Sequence, residues 1–188
     1  IPAIGYGTYQ TSPRITKQQV TNALNAGYRL IDTAQYYGNE RQVGAAVNQS
    51  GISRDQIFVT SKTDTSGYQS TKAGIDESLR RANLDYFDLM IIHWPTGDDL
   101  ETYRALEDAY KEGKLRAIGL SNFNHEEVQD IIDNSSVVPA VDQIQTHLTW
   151  QQWGMHKYLT DHQILHESWA PLGEGENNQL ANPTLVCI

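Results

Sequence analysis

The sequence predicts a (β/α) barrel that stops short of its eighth strand. Three observations carry this. Short, almost continuously apolar runs recur at residues 3–7, 29–33, 57–61, 87–93, 116–120, 140–145 and 164–169. Amphipathic segments with helix start and stop signals lie between them. The beat is uniform, each unit having the length of one strand and one helix. Strands alternating with helices imply a parallel sheet covered by helices. Strands buried on both faces must be apolar nearly throughout, as these are.

The helices follow in order. Thr16, with Gln19 three residues on, reads as a capping box opening a helix to Ala26, with Gly27 as the stop. The second helix covers 39–49 and stops at Gly51. The third covers 71–82, with Ile75 and Leu79 one turn apart. The fourth covers 100–111 and ends at Gly113. Asn124 with Glu127 opens a fifth, through about Asn134, and residues 153–162 form a sixth. A further helix is expected to start in 183–188. A doubly wound open sheet is the competing architecture. It calls for a glycine-rich turn after an early strand, and Gly5-Tyr6-Gly7-Thr8 lacks the third glycine. The uniform repeat favours the barrel, as a single domain over 1–188, incomplete at its C-terminal end.

Composition narrows the function. A chain of 188 residues is long enough to bury a real core. The single cysteine, Cys187, allows no internal disulfide, which fits a reducing, cytoplasmic setting. No secretory pattern follows Ile1-Pro2, and no stretch approaches a membrane span. The formal charge of −9 and the lack of a basic stripe argue against nucleic acid. The expected partner is a small molecule, without nucleic acid or membrane, and the expected state is a monomer if the chain is complete in nature.

In such a barrel, chemistry sits at the C-terminal ends of the strands. Those ends carry Thr8-Tyr9, Asp32, Lys62, His93-Trp94, Ser121-Asn122, Gln143 with Gln145, and Trp169. Each alone has a plain explanation: Asp32 as a turn cap, Lys62 as a solvated lysine, His93 as a satisfied core histidine, Tyr37 as a rim aromatic. An acid, a lysine, a phenol and an imidazole converging on one mouth is a less common accident. A phenol with an ordinary pKa of about 10 is a poor acid at neutral pH, and a nearby ammonium lowers that value. A partly buried lysine needs an anion, and Asp32 can serve. Asp32, Lys62 and Tyr37 are therefore read as a tuned proton donor, with His93 holding a substrate oxygen. That set suits protonation of a carbonyl oxygen as hydride reaches carbon, which calls for a nicotinamide. Trp169 can stack on its ring, and Asn122 and Gln143 can hold its carboxamide.

These residues resemble the aldo-keto reductase family. The matching stretches are Asp-Thr-Ala-Gln-Tyr-Tyr-Gly-Asn-Glu at 32–40, Phe-Val-Thr-Ser-Lys at 58–62 and Leu-Asp-Tyr-Phe-Asp-Leu-Met-Ile-Ile-His-Trp-Pro at 84–95. Gly-Lys-Leu-Arg-Ala-Ile-Gly-Leu-Ser-Asn-Phe at 113–123, Pro-Ala-Val-Asp-Gln-Ile-Gln at 139–145 and Trp-Ala-Pro-Leu-Gly at 169–173 follow in the family's order. The resemblance implies a TIM barrel reducing small aldehydes or ketones, sugar-like or dicarbonyl, with NADPH. It implies a tetrad of Asp32, Tyr37, Lys62 and His93. By the same mapping Ser121, Asn122 and Gln143 hold the carboxamide, Trp169 stacks on the ring, and Leu172 and Gly173 lie along the pyrophosphate. Thr8 and Asp32 are expected beside the cofactor, and Tyr9, Tyr36 and Trp94 line the substrate pocket. The segment 167–175, with tryptophan at the stacking position, looks closest to the microbial 2,5-diketo-D-gluconate reductase type. The short stretch 96–99 leaves the mouth open.

The sequence departs from the family pattern at its end. Relatives carry a lysine-serine pair, an arginine and an asparagine on and after the eighth strand, gripping the adenosine 2′-phosphate. No residue here matches them, and Gly173-Glu174-Gly175-Glu176 is a poor phosphate loop because its carboxylates repel the anion. NADP over NAD therefore rests on the resemblance. The native polypeptide is expected to continue past Ile188 with an eighth strand, terminal helices and the cationic grip, because two unpaired edges along one seam are costly. Two other functions compete: a non-catalytic barrel that binds nucleotide and regulates a partner, and a metal hydrolase using Asp32, His93 and His147, which lacks a His-x-His pair on its first strand.

Overall fold

In the computed structural model, which describes residues 1–175 and 179–187, the apolar runs form one parallel sheet. Its strands are β1 (Gly5–Gly7), β2 (Leu30–Asp32), β3 (Phe58–Thr63), β4 (Leu89–Ile92), β5 (Ile118–Ser121), β6 (Val141–Gln145) and β7 (Leu165–Trp169), paired in sequence order. Helices α1 (Pro13–Asn25), α2 (Glu40–Asn48), α3 (Tyr68–Ala82), α4 (Asp99–Lys111), α5 (His125–Asn134) and α6 (Trp153–Asp161) connect successive strands, and a short α7 (Pro183–Val186) follows β7. This is a barrel with seven strands among the described residues. The central strands β4 and β5 are buried at every position, whereas the edge strands β1 and β7 are largely accessible.

Strand alternation sorts the side chains into two layers. The outward residues Ile31, Val59, Met90, Ile92, Ile118, Leu120 and Ile144 pack against the helices in the main core. The inward residues Leu89, Ile91 and Val141, with Phe58 and Ala117, close the barrel's N-terminal end. Further along the same face, two or four residues on, come Asp32, Lys62, Ser121, Gln143 and Glu167. The register sets this second layer, pairing Ser121 with Gln143 and Gln143 with Glu167 on neighbouring strands.

Two glycines answer to close approach. A Cβ on Gly119 would lie 2.5 Å from the Val141 carbonyl oxygen, so β5 and β6 need a bare position there. A Cβ on Gly44 would lie 1.8 Å from the Ala82 carbonyl oxygen, so α2 rests directly on the end of α3.

The elements differ from expectation in instructive places. Helix α1 does not start in a Thr16 capping box. It starts at Pro13 behind Ser12, because proline fixes φ and its missing N–H is an orphan at a helix start anyway. Thr16 is buried, its hydroxyl donating to the Ser12 carbonyl at 2.9 Å. Helix α3 begins at Tyr68, three residues before Thr71, after Gly67 at φ 82°. Strand β3 extends to Thr63, so Lys62 sits within the strand and is almost fully buried. The Asn124–Glu127 capping box forms with both reciprocal bonds.

Strand β6 also carries a conflict. Asp142 faces outward into the apolar layer, fully buried, with neither carboxyl oxygen hydrogen-bonded among the described residues. Burial pushes its carboxyl up to about 7; the nearby Phe123 backbone amide pulls the other way, and the Glu127 carboxylate adds to the push. A carboxyl raised in the folded chain binds more protons folded than unfolded, so it lowers stability as pH rises through the interval from 3.8 to about 7. Asp142→Asn keeps the shape and removes the charge. We expect it to raise the melting temperature, and to do so more at pH 8 than at pH 5; an equal effect at both pH values, measured by thermal unfolding, would contradict this account.

Candidate active site

The site is organised by one buried cation. Lys62 projects from β3 into the barrel, where its ammonium donates to the Asp32 carboxylate at the end of β2. It also donates to the Thr33 carbonyl at 3.2 Å and to the Tyr37 hydroxyl oxygen at 3.3 Å. Burial draws the ammonium's pKa down, and the Asp32 carboxylate with Tyr37 outweighs it, leaving Lys62 above its ordinary value. Breaking such a pair leaves an uncompensated buried charge, at a cost of about 3–5 kcal/mol.

Tyr37 is delivered by a single 3₁₀ turn, Gln35–Tyr37, that ends at Gly38 with φ 67°. The left-handed position reverses the chain immediately after the phenol. Gln35 pins the turn: its Nε2 donates to Ser78 of α3 at 3.0 Å, and its Oε1 accepts from the Asp64 amide at 2.7 Å. The Tyr37 ring lies 5.2 Å from Tyr9 and 5.7 Å from His93, centroid to centroid. The expected lowering of its pKa does not occur. Burial pushes the phenol up, and the opposing pull of the Lys62 ammonium does not cancel it. Tyr37 is therefore a protonated phenol at neutral pH. Because its oxygen accepts from Lys62, its own proton is free to point elsewhere.

His93 follows β4 at the rim. Its ring makes no hydrogen bond among the described residues and lines the cavity, so it is not a satisfied core histidine. Burial pushes it down to about 4, with the Lys62 ammonium adding to the effect. The imidazole is neutral at pH 7.

On the opposite wall, Ser121 Oγ donates to the Gln143 carbonyl at 2.8 Å. Asn122, in the left-handed region at φ 64°, uses its whole amide. Its Nδ2 donates to the His93 carbonyl and to Ser121 Oγ, each at 3.0 Å, and its Oδ1 accepts from Trp169 Nε1 at 2.8 Å. Asn122 thus holds the indole in place. Gln143 Nε2 donates across the barrel to Asp32 Oδ2 at 3.0 Å and to Glu167 Oε1 at 2.8 Å.

These groups surround one end of a cavity of about 990 Å³, which reaches from the C-terminal mouth along β1 and β7 to Gly5, Leu30 and Leu165. Its wall includes Asp32, Tyr37, His93, Ser121, Asn122, Gln143 and Trp169, with Tyr9, Tyr36 and Trp94 as an aromatic rim. All three rim residues are at least half exposed. Four expected site residues lie off that wall, Lys62 among them, buried against Asp32 and Tyr37. Thr8 is fully buried beneath it, its hydroxyl donating to the Asp32 carbonyl at 3.0 Å. Leu172 is exposed beyond the mouth, and Gly173 is buried behind the turn that follows Trp169. Glu176, the last member of the proposed phosphate loop, is outside the described residues, as is Ile188. Asp32, His93 and His147 do not gather into a metal-ligand cluster among the described residues.

Sequence reasoning missed two contributors. Asn39 is fully buried and ties the first two strand ends together, accepting from Thr33 Oγ1 at 2.6 Å and donating to the Thr8 carbonyl at 3.0 Å. Its place after Gly38 reads only as a helix start. Glu167 is the second carboxylate inside the barrel, and the one signal for it was its inward register opposite Gln143.

Comparison with known proteins fits this geometry. The Aldo/keto reductase family matches residues 3–179. An aldo-keto reductase of Mycobacterium sp. strain JLS is 41% identical over 193 residues, which take in 100% of this chain and 69% of that protein. The glyoxal reductase of Bacillus subtilis strain 168 is 38% identical, over 94% of this chain and 65% of that protein. Among solved structures, one described as a 2,5-diketo-D-gluconic acid reductase B superposes with a TM-score of 0.94 at 34% identity, covering 100% of this chain and 68% of that one. A Bombyx mori aldo-keto reductase in complex with NADP superposes with a TM-score of 0.91 at 31% identity, covering 100% and 71%. No helix of the described residues is long and apolar enough to cross a membrane. With a family match over nearly its whole length and the same fold in its solved relatives, this chain belongs to the aldo/keto reductase family.

Proposed function

We propose that this protein reduces a small aldehyde or ketone to the alcohol with NADPH, using Tyr37 as the proton donor. The observation that carries the reading is the Lys62 ammonium joined at once to Asp32 and to the Tyr37 oxygen, two groups on the cavity wall. A nicotinamide bound in that cavity supplies the hydride. The protein's part is to hold the carbonyl, deliver a proton to its oxygen and stabilise what remains.

The resting phenol keeps its proton, with that proton directed away from Lys62. On transfer, the phenolate left behind sits 3.3 Å from the ammonium. A fixed cation beside a developing anion stabilises the transition state without reorganisation. Asp32 keeps Lys62 charged in a buried place. His93, neutral and free of other partners, donates a second hydrogen bond to the carbonyl oxygen and fixes its approach. The aromatic rim of Tyr9, Tyr36 and Trp94 suits a small substrate with a flat carbonyl, and the glyoxal reductase relative favours a dicarbonyl.

For the cofactor, the donors and acceptors of Ser121, Asn122 and Gln143 match a carboxamide, and Trp169 offers a fixed ring to stack on. Leu172 and Gly173 follow directly and would run beside the pyrophosphate, with Thr8 supporting Asp32 from below. NADP is favoured over NAD by the relative solved with NADP.

Tyr37→Phe should leave nucleotide affinity largely intact and cut turnover by roughly 10²–10⁴, the usual worth of a positioned proton donor; steady-state kinetics with a small aldehyde reads both, and near wild-type kcat would remove Tyr37 from the role. Nucleotide should quench tryptophan emission, and Trp169→Ala should diminish both the quench and the affinity; an unchanged quench would exclude stacking there. A histidine held down in the folded state stabilises it fully above pH about 6.5 and loses that contribution as pH falls towards about 4. His93→Asn should therefore flatten the fall in melting temperature between pH 6.5 and pH 4, and an unaltered slope would show the histidine to be ordinary.

A further inference from the structure

Gln143 sits between two carboxylates. Asp32 Oδ2 reaches it from across the barrel at 3.0 Å, and Glu167 Oε1 from the neighbouring strand at 2.8 Å. Both bonds are to Nε2. An amide nitrogen has two protons, so both are taken. The arrangement also fixes which end of the amide is which. Turning it over would set the carbonyl oxygen against the Asp32 carboxylate, with no proton between them. Oε1 is thus turned away from Asp32 and Glu167 and accepts no hydrogen bond among the described residues. Gln143 is on the cavity wall, and its β6 position faces Glu167 directly in the β6–β7 register.

Glu167 is an unusual choice for the floor of a site meant for a nucleotide. Its side chain also lines the cavity, and its Oε2 is buried without a partner among the described residues. The catalytic steps described above do not use it. Burial and the Asp32 carboxylate both make its charge unfavourable. A leucine of similar volume would fill the place without that cost, so the carboxylate needs a reason.

We propose that Glu167 is a positioning residue: by capturing the second Nε2 proton of Gln143 it locks that amide so that only its acceptor, Oε1, meets the cavity. The site is thereby made selective for a ring substituent that donates, the primary carboxamide of nicotinamide, against an isosteric group that only accepts. This rests on the nicotinamide reading given above. Removing Glu167 frees one Nε2 proton, and Gln143 then offers a donor as well as an acceptor.

The test compares binding of NADP with that of its 3-acetylpyridine analogue, whose methyl ketone keeps the carbonyl and lacks the NH₂. Titration calorimetry reads affinity without catalysis. The wild-type protein should bind NADP about tenfold more tightly than the analogue, the usual cost of leaving one acceptor unpaired. In Glu167→Ala that preference should fall to about threefold or less, mainly through tighter binding of the analogue. Glu167→Gln retains an acceptor for Nε2 and should restore the preference. Glu167→Leu keeps the volume, should behave like alanine, and serves if alanine does not fold. A preference undiminished in Glu167→Ala or Glu167→Leu overturns the proposal while leaving the reductase reading intact. A wild-type protein without preference also overturns it. A wild-type protein that binds neither nucleotide overturns the nicotinamide reading and this proposal together.

Discussion

The site depends on a positive charge that has no route to water. Lys62 is almost wholly enclosed, and an enclosed ammonium persists only where oxygen atoms surround it. That requirement dictates the geometry around it. Asp32 must end β2 on the inward face, which the pairing of Asp32 with Thr60 ensures, since Lys62 lies two residues further along the same face. Tyr37 must come back over the ammonium within one turn, and Gly38 makes that turn possible. His93 must stay neutral in the same positive field. The second oxygen of Asp32 carries the constraint across the barrel to Gln143, and so to β6 and β7. One ion pair thus orders both walls.

The two layers of the interior explain why the cavity lies where it does. Leu89, Ile91 and Val141 fill one end, where no polar group competes for space. One strand repeat higher the inward positions switch to polar residues, which hold each other by directed bonds and cannot close-pack as the aliphatic side chains do. The polar end of the cavity follows from that switch; its other end, at Gly5, Leu30 and Leu165, lies along the edge strands β1 and β7. The switch also explains the contrast between Gln143 and Asp142, neighbours on one strand. Gln143 faces the polar interior and finds two partners, whereas Asp142 faces the helices and finds none among the described residues.

Much of this was legible from residue pattern alone. The strands fell close to their observed limits because buried parallel strands are apolar at every position and helices are not. Lys62 and the three groups expected around it, Asp32, Tyr37 and His93, were picked out because each lies at or after a strand's C-terminal part. What the pattern could not give were balances and long-range partners. The Tyr37 phenol was expected to drop in pKa, since the sequence shows a lysine but not how deeply the ring is enclosed, and enclosure is the larger effect. Thr16 looked like a cap because capping motifs are local, while the true start is set by Pro13. Asn39 was invisible as a structural tie because its partners, Thr8 and Thr33, belong to different strand ends. Glu167 was hidden for a similar reason, its meaning residing in a glutamine on another strand.

The contact at Gly44 has a mechanical consequence. Helices α2 and α3 touch backbone to backbone there, with the Ala82 carbonyl in the place a side chain would take. Glu40 at the start of α2 is clamped as well, to Arg81 of α3 at 3.0 Å and to Ser61 of β3 at 2.6 Å. Neither helix can slide or roll against the other without collision. The segment from β2 to α3, which carries Asp32, Tyr37 and Lys62, is therefore tied together by backbone contact as well as by ion pairs and hydrogen bonds. On the opposite wall the bracing is by side chains: Asn122, after β5, accepts from the Trp169 indole at the end of β7. The proton-delivery side is thus braced through the backbone, and the wall opposite through its side chains.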